Sequence, residues 1–168
     1  MNIKELFKIQ AEIEEKAVEF SSVDENALGE HNVMNVRFLA IQVKLGELAN
    51  LTKCYKYKKS IHEIPRNKIL FRYLEGMRYL LSIGNKYGMN IIDQASLDNV
   101  DPSEDLIVVF TDLYDDLSRL KTLIKNGRFV DGLSTYIQVF ATYIQLARLL
   151  EISYEEAYTY FEETSLSA

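Results

Sequence analysis

Val43-Lys44-Leu45-Gly46-Glu47-Leu48-Ala49-Asn50-Leu51-Thr52 and Ile69-Leu70-Phe71-Arg72-Tyr73-Leu74-Glu75-Gly76-Met77 are two apolar runs, each carrying a cation and, three residues later, an acid. A spacing of three sets both charged side chains on one helix face, about one turn apart. A glycine adjoins each acid, Gly46 before Glu47 and Gly76 after Glu75. Two such helices are expected to pack closely with their acids facing each other. Lys44 and Arg72 then cancel Glu47 and Glu75, and ion pairs within and between the helices are expected to fill the space between them. If that space is dry, removing one cation should cost about 3–5 kcal/mol; if it is wet, much less.

The flanking sequence has helical periodicity almost throughout. Apolar Ile3, Leu6, Phe7, Ile9, Ile13, Ala17 and Phe20 predict a first amphipathic helix, and the polar stretch 21–30 predicts a loop. Asn32 is a candidate cap for a long helix over 33–58, with Val33, Val36, Leu39, Ala40, Val43, Glu47, Leu48 and Leu51 on or near its apolar face. Pro65 suits the start of a helix over 66–87, whose broad apolar face predicts burial on most sides. After a loop over 88–102 tacked down by Met89, Ile91 and Ile92, Ser103 caps a helix over 103–125, and Lys125-Asn126-Gly127-Arg128 is a stop and tight turn. The helix over 129–150 presents Phe129, Leu133, Tyr136, Ile137 and Phe140 inward, with Gln138 and Gln145 outward. Ser153 and Glu156 form a capping box that opens a last helix, 154–163. The expected fold is all-α, with a four-helix-bundle core from the helices at 33–58, 66–87, 103–125 and 129–150 and flanking helices around it.

Composition bounds the function. A chain of 168 residues, 48% hydrophobic with two prolines, is expected to form a single domain over 1–168. A net charge of −6 argues against nucleic-acid polymers as partners, because phosphate chains require a basic surface. The single cysteine, Cys54, excludes an internal disulfide, and no Cys/His spacing suggests zinc. No apolar run reaches membrane-spanning length and no leader-like start is present, so no membrane is expected and a cytoplasmic location is the default. Asp112, Asp115 and Asp116 on one helix are either solvated or a metal site, and solvation is the more ordinary fate of such a pattern.

Several segments, in order, resemble the dimeric all-α dUTPases, a branch of the MazG-like nucleoside triphosphate pyrophosphohydrolases. That family writes Glu-Leu-Gly-Glu-Leu-Ala-Asn-Glu where this chain has Lys44-Leu45-Gly46-Glu47-Leu48-Ala49-Asn50-Leu51, and Glu-Tyr-Val-Asp-Gly-Leu where it has Arg72-Tyr73-Leu74-Glu75-Gly76-Met77. Leu80-Leu81-Ser82-Ile83-Gly84 and Leu149-Leu150-Glu151-Ile152-Ser153-Tyr154-Glu155-Glu156-Ala157-Tyr158 also resemble family segments, as does the opening Leu6-Phe7-Lys8-Ile9-Gln10. The resemblance implies a homodimer, Glu47 and Glu75 as catalytic and Mg²⁺-binding residues, and Gln10, Asn50 and Lys56 as contacts to a dUTP- or dUDP-like nucleotide. Gln10 is otherwise a solvent-facing glutamine, and Lys56, in Tyr55-Lys56-Tyr57-Lys58-Lys59, otherwise complements a helix dipole.

The departures bear on chemistry. Four carboxylates in one small volume need Mg²⁺, whereas two acids with two cations do not and would repel it. The family's tryptophan position is Lys58, in a chain without tryptophan, and the basic and amide residues that follow the last family segment are missing after Tyr158. Two functions are therefore expected in competition. The favoured one is a relative that has lost Mg²⁺-dependent hydrolysis and keeps a binding or structural role, with no metal cofactor. The alternative is an active Mg²⁺-dependent dUTP or NTP pyrophosphohydrolase working with Glu47 and Glu75 alone. Eleven tyrosines and eight phenylalanines fit an aromatic-rich interface in either case.

Overall fold

A computed structural model describes residues 2–20, 25–56 and 60–167, excluding the side chains of 18–20 and 164–167. Among these residues the regular structure is helical, with no strand: α1 (Ile3–Phe20), α2 (Glu25–Leu28), α3 (Glu30–Thr52), a 3-10 turn (Ile61–Glu63), α4 (Arg66–Lys86), α5 (Gln94–Asp98), α6 (Leu106–Lys125), α7 (Phe129–Leu149) and α8 (Tyr154–Ser167). The expected all-α bundle is present. α3 packs on α4, α4 on α7, α7 on α6 and α6 back on α3, so the four long helices close on themselves, with α1 and α8 laid against α4. The three-residue connection between α6 and α7 permits only an antiparallel pair, and Gly127 supplies its left-handed corner at φ 67°.

α4 is the central element, as its broad apolar face predicts. Its inner face is joined to α7 by tyrosines. Tyr143 and Tyr136, two turns apart on α7, lie in the spaces left by Gly76 and Gly84 of α4. Their hydroxyls donate to the Tyr73 and Leu80 carbonyl oxygens, both at 2.8 Å, and Tyr73 donates back to the Tyr143 carbonyl at 3.2 Å. Burial raises the pKa of all three phenols, so they remain neutral donors. Gly46 faces a tyrosine too, Tyr114 of α6, whose hydroxyl donates to the Gln42 carbonyl at 2.8 Å. The glycines beside the acids thus chiefly admit aromatic side chains; the expected direct approach of two backbones is a smaller part of their role, seen where Gly76 lies against the Lys44 β-carbon.

α3 corrects the expected face. The buried residues are Val33, Phe38, Ile41, Leu45, Leu48 and Thr52, whereas Val36, Leu39 and Val43, placed inward by the sequence pattern, are exposed. α3 is apolar on two opposite sides, so periodicity alone does not single one out. The helix also stops at Thr52 rather than 58. Thr52 Oγ1 donates to the Ala49 carbonyl and Lys53 turns left-handed at φ 54°, a local hydroxyl–backbone bond competing with helix continuation.

Smaller corrections concern the helix ends. α3 begins at Glu30 behind Gly29, and Asn32 Nδ2 donates back to the Leu28 carbonyl instead of capping from outside. Asp105, not Ser103, caps α6, accepting from the Ile107 and Val108 N–H groups at 2.8 and 3.2 Å. Gln145 is buried and Phe129 exposed, the reverse of their expected directions. The 21–30 stretch contains α2, and Met89 and Ile92 are buried while Ile91 is exposed. The Ser153/Glu156 capping box stands as expected, with reciprocal bonds of 3.2 and 2.9 Å. Among the described residues no helix is long and apolar enough to cross a membrane.

Candidate functional site

Lys44 and Glu47 on α3 face Arg72 and Glu75 on α4. Lys44 Nζ lies 2.9 Å from Glu75 Oε2 and 3.3 Å from Glu47 Oε2. Arg72 Nη1 lies 3.1 Å from Glu47 Oε2 and 3.4 Å from Glu75 Oε2. Each cation thus touches both acids and each acid both cations, in a closed ring with two pairs inside helices and two across them. The side chains retain 18% (Lys44), 25% (Glu75), 34% (Glu47) and 37% (Arg72) of their exposure, so the ring is half wet. The hydrogen bond to Glu75, outweighing the opposing cost of desolvation, raises the Lys44 pKa and keeps the ammonium charged.

Mg²⁺ takes about six oxygens at roughly 2.0–2.1 Å and keeps several of them as waters, so a site must offer it only one or two free carboxylates. The available donors are two carboxylates, and the oxygen of each that faces its partner is already shared by an ammonium and a guanidinium. Among the described residues no group of three or more His, Cys, Asp or Glu side chains stands where a metal could be held. Asp112 and Asp115 are exposed, and Asp116 pairs with Arg119 at 2.9 Å.

Beside the ring, a cavity of about 210 Å³ between α1, α3 and α4 is lined by Gln10, Glu14, Arg37, Glu75, Arg78, Tyr79 and Ser82. Gln10 is 4% exposed. Its amide nitrogen donates to Glu14 Oε1 at 3.0 Å, while Oε1 has no hydrogen-bond partner among the described residues. Arg37 crosses the cavity, donating to Ser82 Oγ and, at 2.8 Å, to Glu25 Oε1, with Glu14 at 3.6 Å; its buried Nε is unpartnered among the described residues. Two of the residues that line this polar cavity thus each keep a buried polar atom without a hydrogen-bond partner among the described residues.

The residues expected at a site separate into two groups. Gln10, Glu47, Glu75, Lys44 and Arg72 come together along the α3–α4 groove. Asn50 and Lys56 do not line the cavity: Asn50 Oδ1 accepts from Lys53 Nζ at 2.5 Å and Tyr55 Oη at 3.0 Å, and Lys56 is exposed in the turn after α3. Tyr57, Lys58 and Lys59 lie outside the described residues. Sequence reasoning missed Arg37 and Arg78. Arg37 had a signal, being the one charged residue between His31 and Lys44 in an otherwise apolar or amide-bearing helix. Against known proteins, a family model for dUTPase, of the all-α kind, matches residues 2–165. No curated protein and no solved structure matches the chain.

Proposed function

The chain belongs to the all-α dUTPase family, and from that premise we propose that it is a member which has exchanged metal-dependent hydrolysis for binding. The family supports a dUTPase-like role. Within it, the protein is a cytoplasmic homodimer that holds a nucleotide-like ligand in the Gln10 cleft without cleaving its phosphates. One observation carries the loss of hydrolysis: each acid of the α3–α4 groove is paired with both Lys44 and Arg72. A Mg²⁺ ion would have to displace two internal cations from the two carboxylates before either could serve it.

Binding is supported by Gln10 and Arg37, two lining residues of the cleft beside the ring that each keep a buried polar atom, Oε1 and Nε, without a partner among the described residues. Titration calorimetry with Mg²⁺, with dUTP and with both, beside a pyrophosphate-release assay, tests the reading. The expected result is no Mg²⁺ binding in the micromolar range, no hydrolysis, and nucleotide binding that is independent of Mg²⁺. Micromolar Mg²⁺ or Mn²⁺ affinity that disappears in Glu47→Gln would show that the acids still serve a metal, and the reading would be wrong. Lys44→Glu with Arg72→Glu places four acids at the junction, and its thermal midpoint is expected to fall without divalent cations and to recover with Mg²⁺.

A further inference from the structure

α1, α4, α7 and α8 line a second cavity, of about 280 Å³, that shares no lining residue with the Gln10 cleft. Tyr73 and Met77, one turn apart, bring α4 to it, whereas Glu75, Arg78, Tyr79 and Ser82 bring other faces of that helix to the cleft. Its floor is apolar: Leu6, Tyr73, Met77, Ile152 and Phe161 are all buried. A dry cavity of about 150 Å³ with apolar walls takes up benzene, so this one has room for an apolar body of roughly ten non-hydrogen atoms. Filling it removes that body from water and gives the wall the contacts it lacks.

One charged side chain stands at its mouth. Exposed Arg148 lines both this cavity and an adjoining hollow, the two meeting at Gln94, Ile144 and Arg148. The other polar side chains of the wall are engaged. Tyr73 Oη donates to the Tyr143 carbonyl, Gln94 Nε2 donates to Asp98 Oδ1 at 2.7 Å, Ser153 belongs to the capping box, and Tyr154 Oη accepts from the Asn2 N–H at 3.3 Å. The Arg148 guanidinium has no hydrogen bond or ion pair among the described residues, whereas Arg37, Arg66, Arg72, Arg119 and Arg128 each meet a carboxylate. Asp98, the acid of the hollow, is held by Gln94 and makes no ion pair with it.

We propose that this cavity binds a small organic monocarboxylate, its apolar body inside and its carboxylate paired with Arg148 at the mouth. A planar guanidinium without an internal acid can meet a carboxylate through two parallel N–H···O bonds, and a neutral ligand of the same shape forgoes them. A phosphate monoester would bring a second negative charge beside Asp98, which one arginine leaves unmatched. The site is separate from the nucleotide-like ligand of the proposed function, and its occupancy stabilises the fold whether or not that ligand binds.

Titration calorimetry of the full chain with octanoate and with 1-octanol, two probes of the same body with and without the charge, tests it. Octanoate is expected to bind once per chain with a dissociation constant below about 1 mM, a strength within reach of roughly ten non-hydrogen atoms, and 1-octanol about tenfold more weakly. Arg148→Met keeps an apolar stem without the charge, and is expected to remove that preference with an unchanged helical circular dichroism spectrum. Ala147→Leu, at the cavity wall, is expected to abolish binding of both probes. No octanoate binding by the unmodified protein, or equal affinity for the two probes, overturns the proposal. So does octanoate binding that persists undiminished in Arg148→Met, or that survives Ala147→Leu in the folded protein.

Discussion

Where α4 meets α7, Gly76 and Gly84 admit two wholly buried tyrosines whose hydroxyls reach the α4 backbone; where α4 meets α3, four partly exposed charged side chains pair in a ring. The first junction is dry and specified by shape. A hydroxyl there has no water to fall back on, so its bond and the space it occupies are both obligatory. The second is wet, and each charge keeps solvent as an alternative partner, so the ring contributes little to holding the helices together. The tyrosine seam is thus held by shape, while the charged ring at the edge of the α3–α4 packing can change at small cost to the bundle. That division lets the charges of the ring change while the fold stays.

The comparison is broken most severely at the tyrosine seam. A β-carbon at residue 84 would fall against the Tyr136 hydroxyl and the Phe7 ring, neither of which has room to retreat. Gly84→Ala is expected to lose about 3 kcal/mol or more in urea unfolding. Tyr136→Phe, which keeps the shape and removes only the bond to Leu80, should lose about 1 kcal/mol. Equal losses from the two variants would mean that the hydroxyl and not the space dominates the seam.

The ring should answer more weakly. With side chains 18–37% exposed, Lys44→Met is expected to cost about 1 kcal/mol rather than the 3–5 kcal/mol of a dry pair. A loss above roughly 3 kcal/mol in the same unfolding experiment would show the ring to be as dry as the seam.

The smallest effect sharpens the same point through pH. The folded pKa of Lys44 is raised, chiefly by its hydrogen bond to Glu75, so its contribution is complete below the ordinary lysine value and is lost only as pH rises through the raised one. The stability difference between the unmodified protein and Lys44→Met should therefore be flat through neutrality and shrink in the alkaline range. A difference that changes between pH 6 and pH 8 would point to some other titrating group.

Much of this molecule was legible because it is local. The helix starts at Ile3, Arg66, Phe129 and Tyr154, the Gly127 corner and the Ser153/Glu156 box depend on residues within a turn of one another, and sequence spacing reports such neighbours directly. So does the meeting of Lys44 with Glu47 and of Arg72 with Glu75, each pair three residues apart on one helix. The Gln10 cavity was only half legible, since Arg37 and Arg78 reach it from helices whose rotation about their own axes no local rule sets.

The sequence by itself determined an all-α chain, the helices of its core and the charge-neutral set of Lys44, Glu47, Arg72 and Glu75. Tertiary structure alone decided which apolar side of α3 is buried and which aromatic side chain occupies each glycine's space. The physical reason is that burial belongs to neighbours distant in the chain. Val36 and Phe38 are equally apolar, and only the approach of α4 and α6 to one side of α3 separates a core residue from an exposed one.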